Sequence, residues 1–176
     1  MTHDKLMLGA VAYDPKVVTI WDGFQQYFAD HGLPFDYILY TNYERQVEAL
    51  FANEVDVAWN SPLAWLQAER IATALDRRAK AIAMRDSDCD LTSVIIVHAE
   101  SEIHTIEDLH GRRVAVGAKD SPQATLLPLY HLATQGLNPV RDFEVRPFDV
   151  LVGKHGDHIG GERDAARAMF RGDCDA

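Results

Sequence analysis

Short apolar runs alternate with stretches of helical spacing along the whole chain, and that alternation restricts what the chain can fold into. The run "KLMLGAVAY", followed by the turn residues "DPK", predicts a strand over residues 5–12. From Val17 to His31, apolar residues recur at 17, 20, 21, 24, 27 and 28, the spacing of one helix face, until Gly32 and Pro34 stop the pattern. "FDYILYT" predicts a second strand. "NYERQVEALFAN" predicts a second helix, capped by Asn42, with Val47, Leu50 and Phe51 along one face. "VDVAWN" reads as a third strand, and "SPLAWLQAERIATAL" as a helix with Ser61 at the N-cap and Pro62 at the first helical position. Strand followed by helix, repeated, builds a parallel sheet covered by helices, the α/β class.

The cycle restarts near residue 90. After "AKAIAMR" and the polar break "DSDCD", the β-branched run "LTSVIIVHA" predicts a long strand. "TIEDLHG" has a capping-box shape, with Thr105 and Asp108 three apart and Gly111 as the stop. Then come the strand "RRVAVGA", the helix "SPQATLLPLYHLATQGL", the strand "FEVRPFD" and the helix "GGERDAARAMFRG". Two lobes are therefore expected, 1–91 and 92–176. The ending "RGDCDA" resembles the acid-rich turn that led into an earlier strand, so the second lobe is expected to be incomplete, its last strand missing.

The formal charge of -10, with the acids spread along the chain, argues against a nucleic-acid partner, because phosphate binding needs a basic face. It does not argue against a small anion, since donors at contact range outweigh distant screened charges. No apolar run reaches the roughly 18 residues of a membrane span, and the start "MTHDKLMLGAVAY" lacks a secretory signal's long apolar region. The chain is expected not to span a membrane; either it is cytoplasmic or a leader precedes it. Cys89 and Cys174 are too few and too far apart for a disulfide framework or a zinc site.

Two helices open on Ser-Pro, at Ser61-Pro62 and Ser121-Pro122, each directly after a strand or its exit loop. Such turns lie at the carboxyl edge of a parallel sheet, where ligands collect, and a helix start there offers unpaired N–H groups and a positive dipole end to an oxyanion. Ser121, Gln123 and Thr125 add side-chain donors. The competing reading is that each serine only caps its own helix. "VGKHGDHIGGERDAA" is a glycine-rich loop whose backbone can approach a ligand, and it carries His155, His158 and Glu162. A metal cluster of these three is the alternative to a ligand-contacting or merely solvated loop, although the spacing matches no zinc-helix motif. Tyr13, Tyr43, Trp59 and Trp65 line a pocket or belong to the core, with Asn60 supplying an amide at a strand exit. There is no G-x-S-x-G elbow and no Walker loop, so nucleophilic catalysis has little support.

Taken in order, "GAVAYDP", "NYERQVEALFANEVDVAWNSPLAWL", "SVIIVHAESEIHTIEDLHGRRVAVG", "DSPQATLLPLYHLATQGLNPVRDF" and "GGERDAARAMFRGDCDA" resemble the phosphonate-binding family of periplasmic solute receptors. The resemblance implies a type 2 periplasmic-binding fold of two α/β lobes. It also implies a small solute clamped in the cleft between them, closure about a hinge near Asp88 to Thr92, and hand-over to an ABC-transporter permease. It implies a non-catalytic receptor without a cofactor, in the periplasm or cell envelope. Tyr43 stands where the family has a pocket tyrosine, and Asn60 where a polar cleft residue is expected. Ser121 matches the first position of the family's serine and threonine run, which Pro122 and Gln123 interrupt. Leu91 replaces a second tyrosine, and Gly161 the cleft histidine, while Glu162 is retained. The expected contacts are Tyr13, Tyr43, Trp59, Asn60, Ser61, Ser121, Gln123, Thr125, His155, His158 and Glu162, around a phosphonate- or phosphate-like oxyanion. Other classes weighed are an enzyme on the same scaffold, using the His155, His158 and Glu162 loop, and a sensory domain of a signalling protein.

Overall fold

A computed structural model describes residues 4–86, 89–150, 152–154 and 161–176. They fall into two compact units, Met1–Ile82 and Ala83–Ala176, whereas the lobe boundary drawn from the sequence lies at residue 91.

In the first unit, β1 (Leu6–Val11) runs between β2 (Phe35–Tyr40) and β3 (Val57–Ala58), all parallel, with Leu6 opposite Phe35 and Gly9 opposite Ala58. β1 is apolar throughout because both of its faces are covered. Leu8 and Ala10 pack with Val17 and Trp21 of α1 (Lys16–Asp30), while Val11 packs with Tyr43 and Val47 of α2 (Tyr43–Phe51) and with Ala64 and Ala68 of α3 (Pro62–Ala74). The caps read from the sequence form: Asn42 Oδ1 accepts from Arg45 N at 2.9 Å, and Ser61 Oγ from Ala64 N at 3.2 Å. Gly9 permits close packing here, since a Cβ there would stand 3.1 Å from Tyr40 Cε2 and 3.3 Å from Gln46 Cγ, tighter than most side-chain contacts. The strand expected over "VDVAWN" shrinks to two paired residues.

In the second unit, β4 (Arg113–Val116) pairs in parallel with β5 (Glu144–Pro147), Arg113 opposite Glu144. On the other side of β4, Asp175 N donates to Arg113 O at 2.8 Å and Ala115 N to Ala176 O at 2.7 Å, so Asp175 and Ala176 run along it. The Arg113 guanidinium grips Asp175 there, Nη2 to Oδ1 at 3.0 Å. Leu109, Val114, Val116, Leu132, Leu137 and Phe143 form the core. Asp108 accepts from His104 N, Thr105 N and Thr105 Oγ1, holding a short 3₁₀ turn, Glu107–Leu109, that ends at Gly111 with φ +72°. Cys89 is exposed and Cys174 buried.

Two elements depart from expectation. Residues 91–98 are not a strand. Their β-branched side chains favour extension, but a strand also needs a free backbone edge, and β4 is flanked by β5 on one side and by Asp175 and Ala176 on the other. The segment carries no regular secondary structure; Val94 is 72% exposed, and with β4, Leu132 and Met169 the segment lines a cavity of about 360 Å³. The second departure is the helix after Ser121. It begins as a π turn, Pro122–Leu126, before continuing as α4 (Leu127–Thr134). Pro128 has no N–H for the Ala124 carbonyl four residues back, and Gly117 N fills that role from the end of β4 at 3.1 Å. α5 (Glu162–Phe170) follows Gly161, whose φ is +60°.

Candidate functional site

Both Ser-Pro pairs sit at the carboxyl ends of parallel strands, where β3 and β4 run out into α3 and into the π turn. Ser121 is fully buried. Its Oγ accepts from Ala124 N at 3.1 Å, and its carbonyl accepts from Thr125 N at 3.2 Å and Leu126 N at 3.0 Å. The helix start therefore does not offer the row of unpaired amides expected from the sequence: Pro122 has none, and residues 124 to 126 spend theirs on Ser121. The capping reading of the two serines describes their geometry. A serine hydroxyl that accepts a cap bond still has its proton to donate, so Ser121 keeps one donor. Thr125, 5% exposed, has an Oγ1 without a partner among the described residues.

Gln123 Nε2 donates to Glu162 Oε1 at 3.2 Å, which ties the helix start to the first residue of α5, and Ser93 Oγ donates to Gln123 O at 2.6 Å. Glu162 Oε2 is buried with no partner among the described residues. The close fit depends on Gly117, where a Cβ would lie 2.5 Å from Ala124 Cβ, and on Gly161, where a Cβ would lie 3.4 Å from Gly117 Cα. Asp120 Oδ2 accepts from Gly153 N at 2.6 Å, anchoring the loop that holds Ser121.

The first unit places Tyr13 and Trp59 against the cluster around Trp21, with the Trp21 and Trp59 rings edge to face at 6.0 Å. Tyr43 is 3% exposed in the core beneath α2 and α3. Asn60 is half-buried just beyond β3, and Ser61 caps α3. Sequence reasoning missed Gln46. It is fully buried, and its Nε2 lies 3.0 Å from Trp59 O and 2.7 Å from Asn60 Oδ1. Its signal was available, because Tyr43, Gln46, Val47 and Leu50 stand at the i, i+3, i+4, i+7 positions of one face. Tyr40, also missed, has a hydroxyl buried without a partner among the described residues, and burial, with Glu54 nearby, pushes its ionisation above the usual tyrosine range.

His155 and His158, and Asp88 of the expected hinge, lie outside the described residues. Among the described residues no three His, Cys, Asp or Glu side chains are grouped to hold a metal ion, and no helix is long and apolar enough to cross a membrane.

Residues 10–176 match the family described as the periplasmic phosphonate substrate-binding protein of ABC transporters. Among solved structures, the methylphosphonate complex of PhnD1 from Prochlorococcus marinus is 19% identical with a TM-score of 0.57, over 97% of this chain and 61% of that one. The periplasmic aliphatic sulphonate binding protein SsuA from Escherichia coli is 19% identical, TM-score 0.55, over 99% and 53%. A binding-protein component of an ABC phosphonate transporter from Pseudomonas aeruginosa is 19% identical, TM-score 0.55, over 98% and 56%. These likenesses show the α/β fold of type 2 periplasmic binding proteins, and the chain spans little more than half the length of each.

Proposed function

The chain belongs to the periplasmic phosphonate-binding family of ABC-transporter components, and from that membership we propose that it binds a small solute bearing a phosphonate-like oxyanion and passes it to a permease. The observation that carries this reading is the family match along residues 10–176, nearly the full chain. The local chemistry agrees with it. The Ser121 hydroxyl, the Thr125 hydroxyl, which has no partner among the described residues, and the start of the helix through Thr134 put donors and a positive dipole end at one strand exit. The Asn60 amide is a further donor at the other. Because the formal charge is -10, attraction of an anion has to come from these short-range groups.

The same reading takes the two compact units as the receptor's two lobes and its site of action as the periplasm or cell envelope. We read it as a binding function: the Ser121 hydroxyl accepts from the Ala124 amide, and its remaining proton can be donated to a solute oxygen. No cofactor enters.

Isothermal calorimetry of the full chain with methylphosphonate, inorganic phosphate and methanesulfonate tests the proposal. One-site binding of at least one of these oxyanions, weakened by Thr125→Val, is expected. Silence toward all three, with binding of an uncharged or cationic solute instead, would overturn it.

A further inference from the structure

Gln46 fixes which end of the Asn60 amide is available. Trp59 O is a carbonyl and can only accept, so the Gln46 atom 3.0 Å from it is the amide nitrogen, Nε2. That nitrogen carries two hydrogens, and the second goes to the Asn60 side-chain atom at 2.7 Å, which must then be the oxygen, Oδ1. The Asn60 NH₂ is left on the far side, and no described residue accepts from it. Gln46 itself cannot turn over: it is fully buried, and reversing its amide would set Oε1 against the Trp59 carbonyl. Its Cγ packs beside Gly9, where an added Cβ would stand only 3.3 Å away.

We infer that Gln46 is a positioning residue which locks the Asn60 carboxamide with its NH₂ outward, making this strand exit a hydrogen-bond donor that selects an acceptor atom of the solute and rejects an ammonium or other donor. The inference rests on the proposed solute-binding function for its selective part, but the lock itself is a property of the folded first unit. It assigns a purpose to a polar side chain that otherwise occupies an apolar position of α2. Ser61, the next residue, accepts the cap bond from Ala64 N at 3.2 Å, whereas the Asn60 amide is oriented by Gln46.

The test uses the full chain, Asn60→Asp, Gln46→Met, calorimetry with methylphosphonate, and NMR of chain labelled with ¹⁵N-asparagine. The Asn60 NH₂ signal is identified by its loss in Asn60→Asp. The carboxylate introduced there still accepts from Gln46, so this variant should melt like the parent while binding methylphosphonate roughly 100-fold more weakly, a charge-assisted donor having become a repelling oxygen. Parent-like affinity in Asn60→Asp would overturn the selective role. The Asn60 NH₂ should show the high heteronuclear NOE of a rigid group in the parent and a reduced one in Gln46→Met; a low NOE in the parent, or no change in the variant, would overturn the lock. If the parent binds none of the oxyanions, the functional reading fails, and the NOE comparison alone decides the lock.

Discussion

Replacing Gly117 by alanine should loosen the junction between β4 and the π turn, and the structure sets the size of the effect. The new Cβ would fall 2.5 Å from Ala124 Cβ, about 1 Å inside the normal carbon–carbon contact distance. Neither atom belongs to a flexible side-chain end, so backbone has to move, at an overpacking cost of about 1–3 kcal/mol. The same movement stretches the Gly117 N bond to Ala124 O, now 3.1 Å, and Pro128 supplies no replacement donor. A stranded carbonyl adds about 1 kcal/mol. For a chain of this size, the sum of about 2–4 kcal/mol corresponds to a fall of about 5–15 °C in the melting temperature. Circular dichroism melts of the parent, Gly117→Ala, Ala124→Gly and the double variant measure it. Ala124→Gly alone should cost about 1 kcal/mol through helix propensity. In the double variant the clash disappears, leaving a favourable coupling of about 1–3 kcal/mol. Additive effects, with coupling below about 0.5 kcal/mol, would refute the steric argument.

Further outcomes follow from other sites. Asp142 is held at about 2 by the Arg141 guanidinium and the Asn138 amide. Its carboxylate therefore stabilises the fold fully above about pH 4, the unfolded value, and progressively less as pH falls toward about 2. Melts across that window should show a shallower loss for Asp142→Asn than for the parent. Ser61→Ala and Ser121→Ala should each cost about 1 kcal/mol in urea unfolding, as lost N-caps. Ser121→Ala should also weaken methylphosphonate binding in calorimetry. Val94→Lys places a charge on an exposed position of an apolar segment; it should raise the concentration at which light scattering appears without lowering the melting temperature by more than about 2 °C.

The parallel α/β order and the caps at Asn42, Ser61 and Ser121 were legible because each depends on neighbours within a few residues. The strand expected at 91–98 was not, because β-branched residues encode extension while pairing depends on which edge of β4 is free. The brevity of β3 has the same origin. The π turn was readable in principle from Pro128, whose missing N–H forces the Ala124 carbonyl to look elsewhere, but its actual partner, Gly117, could not be read from spacing. At the candidate site, Ser121 and Asn60 stand at strand exits as expected. The amides after residue 121 are fewer than a helix start suggests, because the Ser121 hydroxyl and carbonyl take those of residues 124 to 126. Gln46 was passed over because a glutamine on an apolar face looks like an exception until Trp59 O and Asn60 come within its reach.

The contrast between the two thiols offers a practical handle. Cys174 is buried and its ionisation is pushed up by that burial, whereas Cys89 is open to solvent. A maleimide dye added briefly at neutral pH would thus mark position 89 alone, seven residues past Ile82, where the first compact unit ends. Without a single engineered cysteine, the natural chain can carry a fluorophore whose emission reports on its surroundings as candidate solutes are titrated in.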